Sequence, residues 1–380
     1  MRVLFVISGL AFGGAERQVI LLARELARRG HNAGIYTLTR DASRAHELEG
    51  SAVELVMDQK RRKLDLAVIG RLRRHIRAWR PDIVHGFLFD GDLYSRLAAG
   101  GLGIPVLNSE RNDSYDRDIK RVHRIAYRLT SALCDGVIAN THAGAEFARR
   151  LHRLPEAADV VWNGIDLREV DARLARGARP AHDIFPEPGV KRLCMVAALR
   201  PQKDHRLALR AMRCLVERDP SWRLICVGDE LPQLFPGYKA EILAELERLR
   251  LAPFVRFVGN RRDVLEIVAS SDLALLTSLY EGFPNAVLEA MACGTAVVST
   301  EYSDVRRILP VAESVVGSRS ESDIAAAVLS CHGRRLDIAR RQRRWVEQHA
   351  TVAASAAALL GVYAKYLARA AVPLPGGKGA

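Results

Sequence analysis

The sequence has few of the features that mark secreted or membrane-spanning proteins. Its six cysteines include no Cys-x-x-Cys pair, which argues against a disulfide framework and against a zinc site. No run of 18 consecutive apolar residues occurs, and the Ala-rich stretch 351–364 is too short to cross a bilayer. We therefore expect a cytoplasmic protein with reduced cysteines and no membrane-spanning helix.

Acidic residues are scarce relative to basic ones. The chain carries 44 Asp and Glu against 57 Lys and Arg, a formal net charge of +13. Such a charge suits a polyanionic partner: nucleic acid, an anionic membrane or a phosphorylated substrate. Aromatic residues make up only 6% of the chain, and they are not interleaved with basic residues in a nucleic-acid-reading motif. Charge is the only feature of the sequence that favours nucleic-acid binding, so we expect no nucleic-acid partner.

The basic residues concentrate in two segments, 60–80 and 117–128. The second segment falls on a predicted helix, 117–129, that carries one basic stripe and one apolar stripe: Arg117, Arg121, Arg124 and Arg128, beside Val122, Ile125, Ala126 and Leu129. A basic amphipathic helix is typical of a membrane-surface element, and a packed helix with a solvated basic edge fits the pattern equally well. Peripheral attachment to the inner face of the plasma membrane therefore stays open.

Strand and helix patterns alternate from one end of the chain to the other, which predicts an α/β protein with parallel sheets. At 380 residues, of which 49% are apolar, two domains are expected. The Pro- and Gly-rich segment 171–190 is interpreted as a linker between domains 1–170 and 191–350. The predicted strands are 2–8, 33–38, 52–57, 82–87, 104–108, 136–139 and 159–162, then 192–198, 223–227, 255–258, 273–276, 296–299 and 314–316.

The most informative stretch runs from Glu281 to Glu289. It follows the predicted strand 273–276 and opens a helix at Asn285, with Pro284 near the first turn, so free N–H groups of Asn285, Ala286 and Val287 would face the loop. A helix N-terminus attracts anions, and two carboxylates beside it can accept sugar hydroxyls. The combination suits a sugar nucleotide, whereas each Glu taken alone fits a solvated surface charge.

Further candidate residues follow other predicted strands. Lys203 and Arg200, after the first strand of the second domain, would place positive charge where a diphosphate leaving group gains negative charge. Gly13 and Gly14 follow the first strand of the chain and allow close approach of the backbone to a bound group. Gly228, Gly259 and Asn260 end strands at the edge of the sheet where ligands of open α/β folds bind.

The Glu281–Glu289 spacing resembles the Glu-x7-Glu signature of the retaining, GT-B-type glycosyltransferases of family 4 (group 1). The resemblance implies two Rossmann-like domains with parallel sheets facing a cleft, and a C-terminal helix, about 355–372, that packs back on the first domain. It implies that Glu281 contacts the sugar of the donor and that Glu289 binds the ribose. The intervening Gly282, Phe283 and Pro284 would complete the donor-binding loop.

The same resemblance assigns further roles and exposes two departures. The Gly13–Gly14 loop would lie beside the donor phosphate and the acceptor, and the segment ending at Gly259 and Asn260 would contact the base through its backbone. Where the family usually has Arg, this chain has Ala198, and Arg200 is predicted to supply the missing guanidinium. Where many relatives have His after a strand of the first domain, this chain has Ser109, Glu110 and Arg111. His85 and Arg111 are expected on the acceptor side.

We therefore predict a retaining glycosyltransferase that moves a sugar from a nucleoside-diphosphate donor to a lipid-linked or polysaccharide acceptor. A role in bacterial surface-glycan biosynthesis, such as lipopolysaccharide or exopolysaccharide assembly, is expected. No metal ion and no cofactor beyond the nucleotide sugar is expected. The alternatives are a GT-B-fold sugar-nucleotide epimerase, a non-catalytic GT-B subunit, and a nucleic-acid-binding protein.

Overall fold

The computed structural model describes residues 1–11, 13–62, 64–111, 121–152 and 158–371. They form two compact units, each built on a parallel sheet. Unit 1 holds residues 1–164 and the C-terminal segment from Val352, and unit 2 holds residues 165–351. Among the described residues, no helix combines the length and the apolar character needed to cross a bilayer.

The sheet of unit 1 has the strand order β3-β2-β1-β4-β5-β6-β7, and every pairing is parallel. The strands are β1 (Arg2–Ile7), β2 (Asn32–Thr37), β3 (Glu54–Met57), β4 (Ile83–Phe87), β5 (Val106–Glu110), β6 (Gly136–Ala139) and β7 (Asp159–Val160). Val3 to Ile7 are all buried because helices cover both faces of a parallel sheet. The helices before the crossing to unit 2 are α1 (Gly14–Arg28), α2 (Leu66–Trp79), α3 (Leu88–Ala99), α4 (Arg121–Leu129) and α5 (His142–His152).

The sheet of unit 2 has the order β10-β9-β8-β11-β12-β13 and is also parallel. Its strands are β8 (Lys191–Val196), β9 (Trp222–Val227), β10 (Val255–Phe257), β11 (Leu273–Leu276), β12 (Ala296–Thr300) and β13 (Val315–Val316). Its helices are α6 (Leu167–Leu174), α7 (Pro180–Ile184), α8 (His205–Arg218), α9 (Tyr238–Arg248), α10 (Val264–Ala269), α11 (Asn285–Ala292), α12 (Val305–Ile308), α13 (Glu321–Gly333) and α14 (Arg335–His349). The predicted fold class, α/β with two parallel-sheet domains, is confirmed.

The segment interpreted as a linker, 171–190, lies inside unit 2 in the structure. It contains the end of α6 and all of α7, and Pro180 occupies the first turn of α7 instead of breaking the chain. Arg173 forms an ion pair of 2.6 Å with Glu266, and the Ala181 N–H donates to Ser270 Oγ at 3.1 Å. In this segment Pro and Gly lie at the ends of short helices and do not form a linker. The chain passes between the two units at residues 164–165 and 351–352.

The C-terminal helix, α15 (Val352–Ala371), belongs to unit 1. Its Leu359 and Tyr363 are fully buried in the same core as Val19 and Leu22 of α1. Ser355 Oγ also donates to the Trp162 carbonyl at 2.8 Å. The last described helix of the chain therefore completes the core of the unit in which the chain began.

Candidate active site

The central feature of unit 2 is the point where its strand order reverses, between β8 and β11. These two strands are direct neighbours, with Leu193 opposite Leu273 and Cys194 opposite Ala274. The strands that follow β8 and β11 along the chain, β9 and β12, lie on opposite sides of this pair, which is therefore the topological switch point of the sheet. Ligands of open α/β sheets bind at such a point.

Two predicted catalytic residues meet at this point. Lys203 Nζ donates a hydrogen bond to Glu281 Oε1, and both side chains are largely buried, with 14% and 8% of their surfaces exposed. Ser278 Oγ donates to the same carboxylate oxygen at 2.7 Å. No residue in the described part of the chain donates to Glu281 Oε2. The carboxylate is therefore fixed through one oxygen and can accept a ligand hydroxyl through the other.

The loops that carry these two residues are hydrogen-bonded to each other through backbone and side-chain groups. The Leu279 N–H donates to the Gln202 carbonyl at 2.8 Å, and Gln202 Nε2 donates to the Tyr280 carbonyl at 2.6 Å. Thr277 Oγ1 donates to the Lys203 carbonyl at 3.0 Å. The separation of Lys203 and Glu281 is thus set by a network that extends beyond their own side chains.

Helix α11 begins at Asn285, four residues after Glu281, with Pro284 preceding its first residue. Within the described residues no side-chain hydrogen bond caps this helix at Pro284, and a helix N-terminus attracts anions. The Val287 N–H, predicted to be free, instead donates to the Pro284 carbonyl at 3.0 Å, because the first turn is tightened to an i to i−3 bond. Phe283 and Pro284 are buried, whereas Gly282, Asn285, Ala286 and Glu289 are partly exposed.

Arg200 precedes the short 3-10 helix Pro201–Lys203 in extended conformation. Its Nε is buried and makes no hydrogen bond, and its guanidinium forms no ion pair within the described residues. A buried N–H group without a partner is costly, so this side chain is suited to an anionic ligand. Ala198, where the family has Arg, is partly exposed two residues earlier.

Gly228 and Gly259 bring the ends of β9 and β10 together. The Gly228 N–H donates to the Gly259 carbonyl at 2.9 Å, and both residues have positive φ, 131° and 66°. A Cβ on Gly228 would lie 2.2 Å from the Ala197 carbonyl oxygen. Glycine is therefore required at Gly228 by packing against the loop after β8, whatever ligand binds. Asn260 is exposed at the same strand end.

In unit 1, Gly13 immediately precedes helix α1, and Gly14 is its exposed first residue. A Cβ on Gly13 would lie 2.1 Å from Glu16 Oε2, because the Glu16 carboxylate folds back over the first turn. Burial raises the pKa of Glu16, although its backbone hydrogen bond and Arg44 oppose the shift. Gly13 is therefore needed for this close contact. Phe12, in the same predicted loop, lies outside the described residues.

His85 and Arg111, expected on the acceptor side, each have partners within unit 1. His85 is fully buried between the Tyr363 hydroxyl, 2.7 Å from Nδ1, and Ser109 Oγ, 2.8 Å from Nε2. Burial lowers its pKa well below the usual value, so the ring is neutral. Arg111 stacks over the Phe87 ring at 4.8 Å and donates to Asn163 at 2.6 Å, and burial lowers its pKa to about 10.

Comparison with known proteins agrees with this architecture. Residues 12–169 match the model of Glycosyltransferase Family 4, and residues 190–333 match that of Glycosyl transferases group 1. Together the two matches include every strand of both sheets except β1, and the whole Glu281–Glu289 segment. The chain belongs to the family 4, group 1 glycosyltransferases.

Relatives and solved structures of the family extend the comparison. The chain is 27% identical to a D-inositol 3-phosphate glycosyltransferase of Segniliparus rotundus, over 62% of this chain and 53% of the relative. It is 25% identical to an N-acetylgalactosamine-N,N'-diacetylbacillosaminyl-diphospho-undecaprenol 4-alpha-N-acetylgalactosaminyltransferase of Campylobacter jejuni, over 50% of this chain and 47% of the relative. The alignments thus span about half the length of these curated relatives. The crystal structure of Anabaena Alr3699/HepE in complex with UDP superimposes with a TM-score of 0.82 at 19% identity, covering 96% of this chain and 100% of that one, and it shows the GT-B fold.

This family member also contains a buried polar network that sequence reasoning missed. The Arg96 guanidinium, fully buried on α3, donates to Asn108 Oδ1 at 2.6 Å and bonds His152 Nδ1 at 2.7 Å. The Tyr127 hydroxyl donates to Asp92 Oδ2 at 2.9 Å, and burial raises the pKa of Asp92 to about 7. The network joins α3, α4 and α5. A charged residue on a helix gives no sequence signal of burial, so only the fold reveals it.

Among the residues that the structure describes, no group of three or more His, Cys, Asp or Glu side chains is placed to hold a metal ion. The expectation that no metal takes part in the chemistry stays a prediction. Lys203 and Arg200 both follow β8, and Lys203 contacts Glu281 in the loop after β11.

Proposed function

We propose that this protein is a retaining glycosyltransferase that moves a sugar from a nucleoside-diphosphate donor to a lipid-linked glycan acceptor. The main observation in support of the proposal is the contact between Lys203 and Glu281, in the loops that follow the neighbouring strands β8 and β11 of unit 2. A cation for phosphate and a carboxylate for sugar hydroxyls are held together there, beside the start of α11. That pair matches the two halves of a sugar nucleotide.

In the proposed reaction, the diphosphate is bound by Arg200, Lys203 and the first turn of α11, and Glu281 accepts a hydroxyl of the sugar. Negative charge grows on the diphosphate as its bond to the sugar breaks. The Lys203 ammonium then donates hydrogen bonds to both Glu281 and the phosphate. Removing one such charge-stabilising contact costs about 3 kcal/mol of barrier. The acceptor oxygen replaces the phosphate oxygen on the same face of the sugar, and its proton leaves with the nucleoside diphosphate.

Glu289 is proposed to bind the ribose, since it lies partly exposed one turn into α11. The UDP complex of the Anabaena protein supports a nucleoside diphosphate as the leaving group. The segment around Gly259 is proposed to contact the base through its backbone, and the base itself is left open.

The lipid-linked acceptor is supported by the name of the Campylobacter relative, which specifies a diphospho-undecaprenol substrate. Assembly of a bacterial surface glycan on such a carrier would bring the protein to the inner face of the plasma membrane. Unit 1 carries 29 Lys and Arg against 19 Asp and Glu, so +10 of the net charge of +13 belongs to it. That distribution favours docking of unit 1 on an anionic surface.

Helix α4 is proposed as the docking element. Val122, Ile125 and Leu129 form an apolar stripe that is 63%, 57% and 79% exposed, and Arg121 and Arg128 are exposed beside it. A solvent-facing apolar stripe flanked by cations fits the boundary between lipid headgroups and acyl chains. The first part of the predicted helix, 117–120, lies outside the described residues.

The function is tested by incubating the protein with nucleotide sugars and polyprenyl-diphosphate-linked saccharides. We expect release of nucleoside diphosphate that depends on the acceptor, and NMR of the product should show the anomeric configuration of the donor. An inverted linkage would contradict the retaining mechanism, and conversion of the nucleotide sugar without an acceptor would favour the epimerase.

Membrane docking is tested by co-sedimentation with vesicles of phosphatidylglycerol or of phosphatidylcholine. We expect binding to the anionic vesicles only, weakened by salt because surface electrostatics fade within a Debye length. Arg121→Glu with Arg128→Glu should abolish it. The matched control reverses Arg340 and Arg344, which are equally exposed on α14 of unit 2. Binding that survives the α4 reversals, or is lost equally in the control, would contradict the assignment of α4.

A further inference from the structure

Arg319 lies in the turn between β13 and α13 and reaches into the loops of the candidate site. Its Nη2 donates to Asp204 Oδ2 at 2.6 Å and to the Thr277 carbonyl at 2.9 Å, and its Nη1 donates to the Ser278 carbonyl at 3.1 Å. One guanidinium therefore contacts two separate loops. Nothing in the sequence around it, a Ser-rich turn, marks this residue as part of a site.

The three acceptors belong to the segments that carry the proposed catalytic pair. Asp204 directly follows Lys203, and its other carboxylate oxygen, Oδ1, caps helix α8 by accepting from the Leu207 N–H at 3.2 Å. Thr277 and Ser278 directly follow β11, and Ser278 Oγ donates to the Glu281 carboxylate. Arg319 thus joins the Lys203 loop to the Glu281 loop.

Asp204 needs such a restraint because its backbone is strained. Its φ of 44° lies in the left-handed region, which costs about 1 kcal/mol or more for a residue with a Cβ. The side chain is held at both ends, by the start of α8 and by Arg319. This double restraint fixes the backbone next to Lys203.

Arg319 is itself presented from a rigid turn. Ser318 Oγ donates to Asp323 Oδ2 at 2.5 Å, and Ser320 Oγ caps α13 by accepting from the Asp323 N–H at 3.4 Å. The planar fork of an arginine can serve three fixed acceptors at once, whereas a lysine ammonium presents a single point of attachment. The geometry of the contact, more than its charge, is specific to Arg.

The expected contribution of this contact to overall stability is small. The Arg319 side chain is 37% exposed, and exposed ion pairs contribute about 0–1 kcal/mol. Its effect on the spacing of two catalytic groups is expected to be larger, since a displacement of about 1 Å can lower a rate by about 100-fold. The two effects can therefore be separated by experiment.

We propose that Arg319 is a positioning residue for sugar transfer, which sets the spacing of Lys203 and Glu281 without touching the substrate. This inference rests on the proposed function. Arg319→Gln should lower kcat by about 10- to 100-fold, change the KM for the nucleotide sugar less, and leave Tm nearly unchanged. Arg319→Lys should recover part of kcat, because it keeps the charge opposite Asp204 and loses the carbonyl contacts.

The matched control is Arg213→Gln, which removes a similarly exposed arginine of an ion pair on α8, away from both loops. It should leave kcat unchanged. Asp204→Asn offers an independent route, since the amide oxygen still caps α8 while the charged contact is lost. The double variant with Arg319→Gln should be less than additive in kcat, because both changes release the same loop.

The outcomes separate this inference from the proposed function. Lys203→Ala and Glu281→Gln are assayed in parallel, and if neither lowers transfer, the proposed function itself fails. If both lower transfer while Arg319→Gln keeps the wild-type kcat, the positioning role is overturned. A large fall in Tm for Arg319→Gln, or full additivity with Asp204→Asn, would show a merely structural contact and would overturn it as well.

Discussion

Replacing Lys203 by Met should destabilise unit 2 even in the absence of any substrate. The Lys203 ammonium is the only cation that pairs with Glu281 in the described part of the chain, and the Glu281 side chain is 8% exposed. After the substitution the carboxylate keeps a single hydrogen bond, from Ser278 Oγ. A nearly buried charge would then lack its counter-ion.

The size of the effect follows from this burial. Removing one partner of a fully buried ion pair costs about 3–5 kcal/mol, because it leaves an uncompensated charge. The Lys203 side chain is 14% exposed, so water can reach part of the site, and we expect a loss of about 2–4 kcal/mol. For a unit of this size, each kcal/mol lowers Tm by about 2–4 °C.

Urea unfolding followed by circular dichroism measures the change, and a double-mutant cycle with Glu281→Gln isolates its cause. Glu281→Gln alone should cost less than Lys203→Met, because a neutral amide next to Lys203 leaves a cation that can turn toward water. In the double variant the charge problem disappears, so stability should partly recover. A Lys203→Met protein as stable as the wild type, or strictly additive losses in the cycle, would refute the reasoning.

Four further expectations follow. Burial raises the pKa of Asp92 from 3.8 to about 7, so the native state holds this proton more tightly than the unfolded chain does. The free energy of unfolding should therefore fall as pH rises between these two values. Asp92→Asn should reduce this fall, measured by urea unfolding at several pH values, by about 1.4 kcal/mol per pH unit. Arg200→Ala should lower turnover by about 100-fold, and an additional Ala198→Arg change should restore part of it; unchanged kinetics would make Arg200 a solvated loop charge. Gly228→Ala should lower the free energy of unfolding by more than 1 kcal/mol, since its Cβ would collide with the Ala197 carbonyl and its φ is positive, and a stable variant would contradict that geometry. Transfer activity should also survive EDTA, and its loss on chelation with recovery on adding Mg²⁺ would contradict a metal-independent reaction.

The sequence predicted those parts of the fold that depend on local pattern. The apolar run Leu273–Leu276 is a strand with the predicted bounds, because a fully buried parallel strand is a continuous hydrophobic run. Asn285 begins a helix as its position after Pro284 indicated. The contact of Lys203 with Glu281 was not predicted, although both residues were singled out, because 78 residues separate them and only the order of the sheet makes β8 and β11 neighbours.

Other parts of the site could not be predicted because they depend on long-range packing. His85 lies within β4, where a ligand contact was expected, and α15, nearly 280 residues later, supplies the Tyr363 hydroxyl that contacts its Nδ1. Arg319 lies in a polar turn that is typical of solvent-exposed loops, and its three acceptors come from two other loops. Pro180 was interpreted as part of a linker, since proline at a helix start and proline in a linker give the same local signal.

The most direct test of the proposed donor site compares nucleotide binding with turnover in two variants, Glu281→Gln and Glu289→Gln. Calorimetric titration with a nucleoside diphosphate is combined with the transfer assay on the same preparations. Because Glu281 is assigned to the sugar and Glu289 to the ribose, we predict that Glu281→Gln binds the diphosphate like the wild type and loses turnover by orders of magnitude, whereas Glu289→Gln binds the diphosphate more weakly. Equal losses of diphosphate affinity in the two variants, or wild-type turnover in Glu281→Gln, would contradict the account.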